Sequence, residues 1–105
     1  VTMSRTMNAV AAAVQALAGG QGTIVFQGAR DWRSVTFTGA RHALALAFEG
    51  EVAVVGGEAM LDALPAHEFA IPGHTVADID VIHVQRRASP PRLEVDCELL
   101  LVETP

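Results

Sequence analysis

From Leu93 to Val102 the chain alternates without a break. Leu93, Val95, Cys97, Leu99 and Leu101 hold the odd positions, against Glu94, Asp96, Glu98, Leu100 and Val102 at the even ones. Successive side chains of a strand point to opposite sides, so this run is a strand with one face on a core and the other toward water. Upstream, residues 75–87 carry a second strand-like pattern. Ala77, Ile79, Val81 and His83 share one parity, and Val76, Asp78, Asp80, Ile82, Val84 and Arg86 share the other. Pro90-Pro91 between the two runs cannot donate ladder hydrogen bonds and marks a turn. Matching the apolar rows of this hairpin predicts Ile79 opposite Leu99 and Val81 opposite Cys97, with Asp80 meeting Glu98 on the other face. A slip of one residue would bury acids, so the pairing is strongly specified.

A hairpin of this length needs a partner layer, and 105 residues suffice for one domain with a modest core. Half of the residues are hydrophobic, which predicts that some apolar surface meets a second subunit. The net charge is −5, and the longest basic run is Arg86-Arg87, so a nucleic-acid partner is not expected. Anionic membrane surfaces are disfavoured for the same reason, and no apolar stretch reaches the ~20 residues of a spanning helix. The lone Cys97 cannot form an internal disulfide, which rules out a disulfide-stapled fold. Its inward register predicts a buried, structural thiol. Residues 5–18 bear a slight likeness to a leader, but Gln15 interrupts the apolar segment. The segment reads as an ordinary helix and the chain as cytoplasmic.

Ser4 or Thr6 caps that helix, which runs to about Leu17 before Gly19-Gly20. Its buried stripe is Met7, Val10, Ala11, Val14, Leu17 and Ala18. A strand follows over 22–29 with Ile24 and Phe26 on one face, then a turn through 28–33, then a returning strand at 34–38 with Val35 and Phe37 inward. Beyond Gly39 the apolar positions become even (Leu44, Leu46, Phe48), which predicts at Gly39-Ala40 either a β-bulge in one long strand or a turn between two strands, the bulge being favoured because no Asn-Gly or Asp-Gly turn signal is present. A second helix is expected over 57–64. Gly56-Gly57 and the neighbouring valines argue against extending it back to Glu51, and Pro65 stops it. The fold class is therefore α+β: two α-β-β units forming a four- or five-stranded, mainly antiparallel sheet with both helices on one face.

Three groups of residues have chemistry to offer. Arg41 and His42, beside the expected bulge, combine a fixed cation for a carboxylate or phosphate with a titratable imidazole. The bland assignment for this pair puts His42 in register with Leu44 and Leu46 as a half-buried histidine and leaves Arg41 exposed. The acids Asp78, Asp80, Glu94, Asp96 and Glu98 lie on one face; Asp80 opposite Glu98 is a like-charge pair able to raise a carboxyl pKa, although a solvated face is the default for such residues. His67, Glu68, His74, Asp78, Asp80 and His83 are metal-ligand types without any metal-binding spacing, so neither a metal nor a cofactor is expected. The ligand-binding candidates are thus Arg41, His42, His74, Asp78 and Asp80, with no catalytic residue assignable. The function expected from this is a small homo-oligomeric binding module, as a homodimer, with a protein or small molecule as its further partner. The alternative is a small hydrolase- or isomerase-like enzyme using Arg41, His42 and a carboxylate from Asp78 or Asp80. The homodimer expectation rests on residues 41–48, whose Ala43, Ala45 and Ala47 row belongs to a free edge strand unless the C-terminal hairpin or a second subunit covers it, and on Ile82, Val84, Leu100 and Val102 on that hairpin's outer face.

Overall fold

The computed structural model describes residues 4–104. Helix α1 (Arg5–Ala16) is followed by strands β1 (Thr23–Arg33) and β2 (Thr38–Glu49). Helix α2 (Glu51–Ala63), a short 3-10 turn (Leu64–Ala66) and strands β3 (His74–Arg87) and β4 (Arg92–Glu103) complete the chain. The four strands form one antiparallel sheet in the order β1-β2-β4-β3. Both helices lie on one face of it, in the α+β arrangement of two α-β-β units.

Each helix follows from local chemistry. The Ser4 hydroxyl accepts from the Met7 amide at 3.0 Å and closes the α1 N-terminus. Val10, Ala11, Val14 and Ala18 form the buried stripe. Gln27 on β1 donates its side-chain amide to the Met7 carbonyl at 2.5 Å, tying helix to sheet. Helix α2 starts at Glu51, six residues before the expected position, and Gly56-Gly57 are the reason it fits rather than a reason against it. A Cβ at Gly56 would stand 2.4 Å from the Ala18 carbonyl oxygen, and one at Gly57 would stand 2.7 Å from Leu93 Cδ2 and 2.8 Å from Phe48. The glycines let α2 lie directly on the sheet and on the end of α1, and that packing outweighs their poor helix propensity.

The C-terminal hairpin has the expected register: Ile79 pairs with Leu99, Val81 with Cys97 and Asp80 with Glu98. Its faces, however, are not the two rows read from parity alone. Register shifts at Ala77 and Ile82 reset the alternation of β3 twice. Val76, Ile79 and Val84 pack on the core, while Ala77 and His83 are exposed.

The N-terminal hairpin departs further from expectation. The strands run on to Arg33 and resume at Thr38, so the turn is Ser34–Phe37 and not 28–33. The Ser34 amide donates to the Phe37 carbonyl at 2.8 Å, and the Phe37 amide to Ser34 Oγ at 3.0 Å. Val35 and Phe37, expected inward, sit exposed at the tip. The irregularity lies at Val25 in β1, which turns Ile24 inward and Phe26 outward. No bulge occurs at Gly39-Ala40. Gly39 is a point of close approach instead, since a Cβ there would fall 1.9 Å from the Leu101 carbonyl oxygen. Strand β2 is not an edge: β1 and β4 pair along both of its sides. Of the two covers expected for it, the C-terminal hairpin of the same chain is the one present, with β4 paired along its length.

The core lies between the helices and the sheet. Leu44, Leu46 and Phe48 of β2 and Leu93, Val95, Cys97, Leu99 and Leu101 of β4 meet Val10, Val14, Met60 and Leu64 there. Nothing among the described residues covers the other face of the sheet.

Candidate functional site

Arg41 and His42 are neighbours in a regular strand, so the pleat sends them to opposite sides of the sheet. The five candidate residues accordingly separate into two groups.

On the helix side, His42 is 3% exposed in the row with Leu44 and Leu46, and its Nδ1 has no hydrogen-bond partner. His74, at the start of β3, donates its Nδ1–H to the Pro72 carbonyl at 2.9 Å. Both line a cleft of about 220 Å³ between the N-terminus of α1 and the end of the sheet, together with Asp31, Glu103, Ser4 and Thr6. Burial holds the His42 imidazole below its ordinary pKa, and the nearby His74 lowers it further. At neutral pH His42 is an uncharged, buried imidazole. It matches the bland expectation in its position and differs from it in lacking a satisfied Nδ1.

On the open face, Arg41, Asp78 and Asp80 lie with residues that parity had not placed there. The cross-strand registers define its rows: Arg30–Arg41–Leu100–Asp78, then Gly28–Ala43–Glu98–Asp80, then Phe26–Ala45–Asp96–His83. Phe26 and Ile82 stand at opposite rims over a floor of Ala43 and Ala45, and each is 58% exposed. The Phe26 ring lies across Gly28, where a Cβ would come within 3.1 Å of Cζ. Asp78 pushes the Asp80 carboxyl pKa up, with Glu98 adding to the effect and Arg41 opposing it. Neither Arg30 nor Arg41 enters an ion pair among the described residues. The arginines that do are Arg86, bidentate to Glu58 at 2.7 and 2.8 Å, and Arg92, on Glu49 and on Glu94 at 3.5 Å.

The sheet thus separates Arg41, Asp78 and Asp80 from His42 and His74, and no single substrate can meet all five. Among the described residues no three His, Cys, Asp or Glu side chains are grouped to hold a metal ion. His67 stacks edge-on against Phe69 with ring centroids 4.5 Å apart, well apart from any such role. Sequence reasoning missed Phe26 and Arg30, and named Ile82 only as part of an apolar outer face of the second hairpin. The bulges at Val25 and Ile82 decide where two of them point, and neither bulge has a glycine or proline to announce it.

No protein-family model matches the chain, and no curated protein matches it in sequence. No helix among the described residues is long and apolar enough to cross a membrane. The fold does have a solved counterpart: a chain in the structure of the virion of a native gene transfer agent particle. It is 16% identical, superposes with a TM-score of 0.61, and the match covers 97% of this chain and 100% of that one. A likeness at this identity establishes a shared fold.

Proposed function

We propose that the protein is a non-enzymatic, self-associating subunit that works as a structural component of a larger protein assembly. One observation carries this reading. Among the described residues the sheet is covered on one side only, and its bare side exposes Phe26 and Ile82 on either side of an alanine floor. A two-layer domain that stays alone in water normally keeps such a face polar, and large apolar groups grouped on a face mark contact surfaces. The hairpin tip, with Val35 fully exposed and Phe37 half exposed, adds a second apolar projection. The fold shared with a virion chain supports assembly as the setting. A lone buried thiol accords with a reducing compartment such as the cytoplasm.

Light scattering behind size exclusion tests the reading. A species at a small multiple of the 11.0 kDa chain mass at micromolar concentration is expected, the homodimer being the simplest closed form. A chain that stays at its own mass up to hundreds of micromolar would overturn it.

A further inference from the structure

The open face is polarised across its strands. Its β1–β2 half presents Arg30 and Arg41, and its β3–β4 half presents Asp78, Asp80 and Glu98. Like charges are gathered within each half. Arg30 is directly opposite Arg41, and Asp80 directly opposite Glu98, pairings that cost stability unless something of opposite sign lies over them.

We infer that the occupant of this face is the same face of a second copy, related by a two-fold axis parallel to the strands. This rests on the self-association proposed above and names the surface that does it. Such an axis exchanges the two halves of the sheet and preserves each level along the strands. The row Arg30–Arg41–Leu100–Asp78 then sets Arg30 over Asp78 of the second copy, with Arg41 close to its Asp80 and Glu98. Two rows on, the row Phe26–Ala45–Asp96–His83 sets Phe26 over the second copy's Ile82, which bulges out beside His83. One operation therefore matches charge with opposite charge and apolar rim with apolar rim, twice each. The other two candidates fail this test. An axis across the strands lays each half over the same half of the second copy, so the arginines do not meet the acids, and an axis normal to the sheet leaves both faces bare.

Packed sheets cross at about 30° rather than face each other squarely. With strands about 4.8 Å apart, the outer strands lie about 7 Å from the axis, and such a rotation shifts their levels by under about 4 Å. An arginine side chain spans that. Ala43 and Ala45 leave room above them for Glu98 and Asp96 of the second copy.

Two charge-reversed chains test the inference: Arg30→Glu with Arg41→Glu, and Asp78→Lys with Asp80→Lys. All four positions are solvent-accessible, and a thermal melt of each chain confirms that it folds. Each variant alone should self-associate at least tenfold more weakly than the wild type at low salt. An equimolar mixture should recover a complex of two chains, because each contact then again joins opposite charges. Phe26→Ser should weaken the wild-type pair at all salt concentrations. A wild-type oligomer that both variants leave intact, or a mixture no more associated than its components, would overturn this surface and leave the self-association reading standing. A wild-type chain that remains at its monomer mass would overturn both, and would give the face to a different protein.

Discussion

His42 is the residue at which sequence and structure are most in tension. It occupies an apolar row, loses its water and gains no hydrogen bond at Nδ1, a deficit of about 1–3 kcal/mol for a buried polar atom. His42→Leu should therefore stabilise the protein or leave its stability unchanged at neutral pH, and denaturant titration reads this directly. The pH dependence has a definite sign. The folded His42 has the lower pKa, so as pH falls through about 6.5 the unfolded chain takes up the proton first. Stability contributed above that pH is lost as acid is added, and the leucine variant should lack this part of the acid limb. Equal pH slopes for the two proteins between about pH 7 and pH 5 would refute the assignment. The opposite case is Cys97. Burial, aided by Asp96 and Glu98, pushes its thiol up to about 11. It stays protonated in the fold while the unfolded thiol ionises from about pH 8.5, so its contribution to stability is present below that pH and fades above it. A thiol reagent at pH 8 should label the native protein far more slowly than the unfolded one. Both burials were legible in the parity of a strand. What parity also dictates, that Arg41 and His42 point to opposite sides, separates the pair that looked most like a catalytic unit.

At the scale of elements, the two hairpins differ in how much of them a sequence can announce. In the second, five alternating residues on β4 and the Pro90-Pro91 turn fix register to the residue. In the first, Val35 and Phe37 imitate a core row, yet they sit at an exposed tip where Ser34 closes the turn by hydrogen bonding. Hydrophobic pattern cannot separate a buried strand from an exposed apolar turn. Bulges at Val25, Ala77 and Ile82 carry no glycine or proline, so the faces of β1 and β3 become readable only once their partners are in place. Helix α2 makes the complementary point: Gly56-Gly57 weaken the helix as a helix and permit it as a packed layer. Gly56→Ala, favourable by propensity at about 1 kcal/mol, should instead destabilise the protein by about 1–3 kcal/mol, because the new methyl meets the rigid Ala18 carbonyl at 2.4 Å. A chemical denaturation midpoint that rises in this variant would show that α2 is free to move off α1.

For the whole molecule, the order β1-β2-β4-β3 puts the two most apolar strands in the middle. The alanine row of β2 did not need a second subunit to shield its edge, because the second hairpin supplies β4 there. What the topology leaves unprotected is the edges of β1 and β3 and one sheet face, and these are different kinds of exposure. Each edge is interrupted by bulges, which discourages strand addition. The face is smooth and carries alanines, Phe26 and Ile82. Amide hydrogen exchange separates the two. The amides of β2 and β4 engage partners on both sides and lie over the core, so they should exchange only through global unfolding. In β1 and β3 only the amides directed at the neighbouring strand should be protected, in alternation, and those of Ser34–Phe37 should exchange fastest, apart from the Ser34 and Phe37 amides held within the turn. Association through the open face adds no backbone pairing, so raising the protein concentration should slow all globally exchanging amides together and leave the alternation in β1 and β3 intact. New protection appearing along the outward amides of either edge strand would mean that copies join edge to edge, and would shift the site of assembly from the face to the rim.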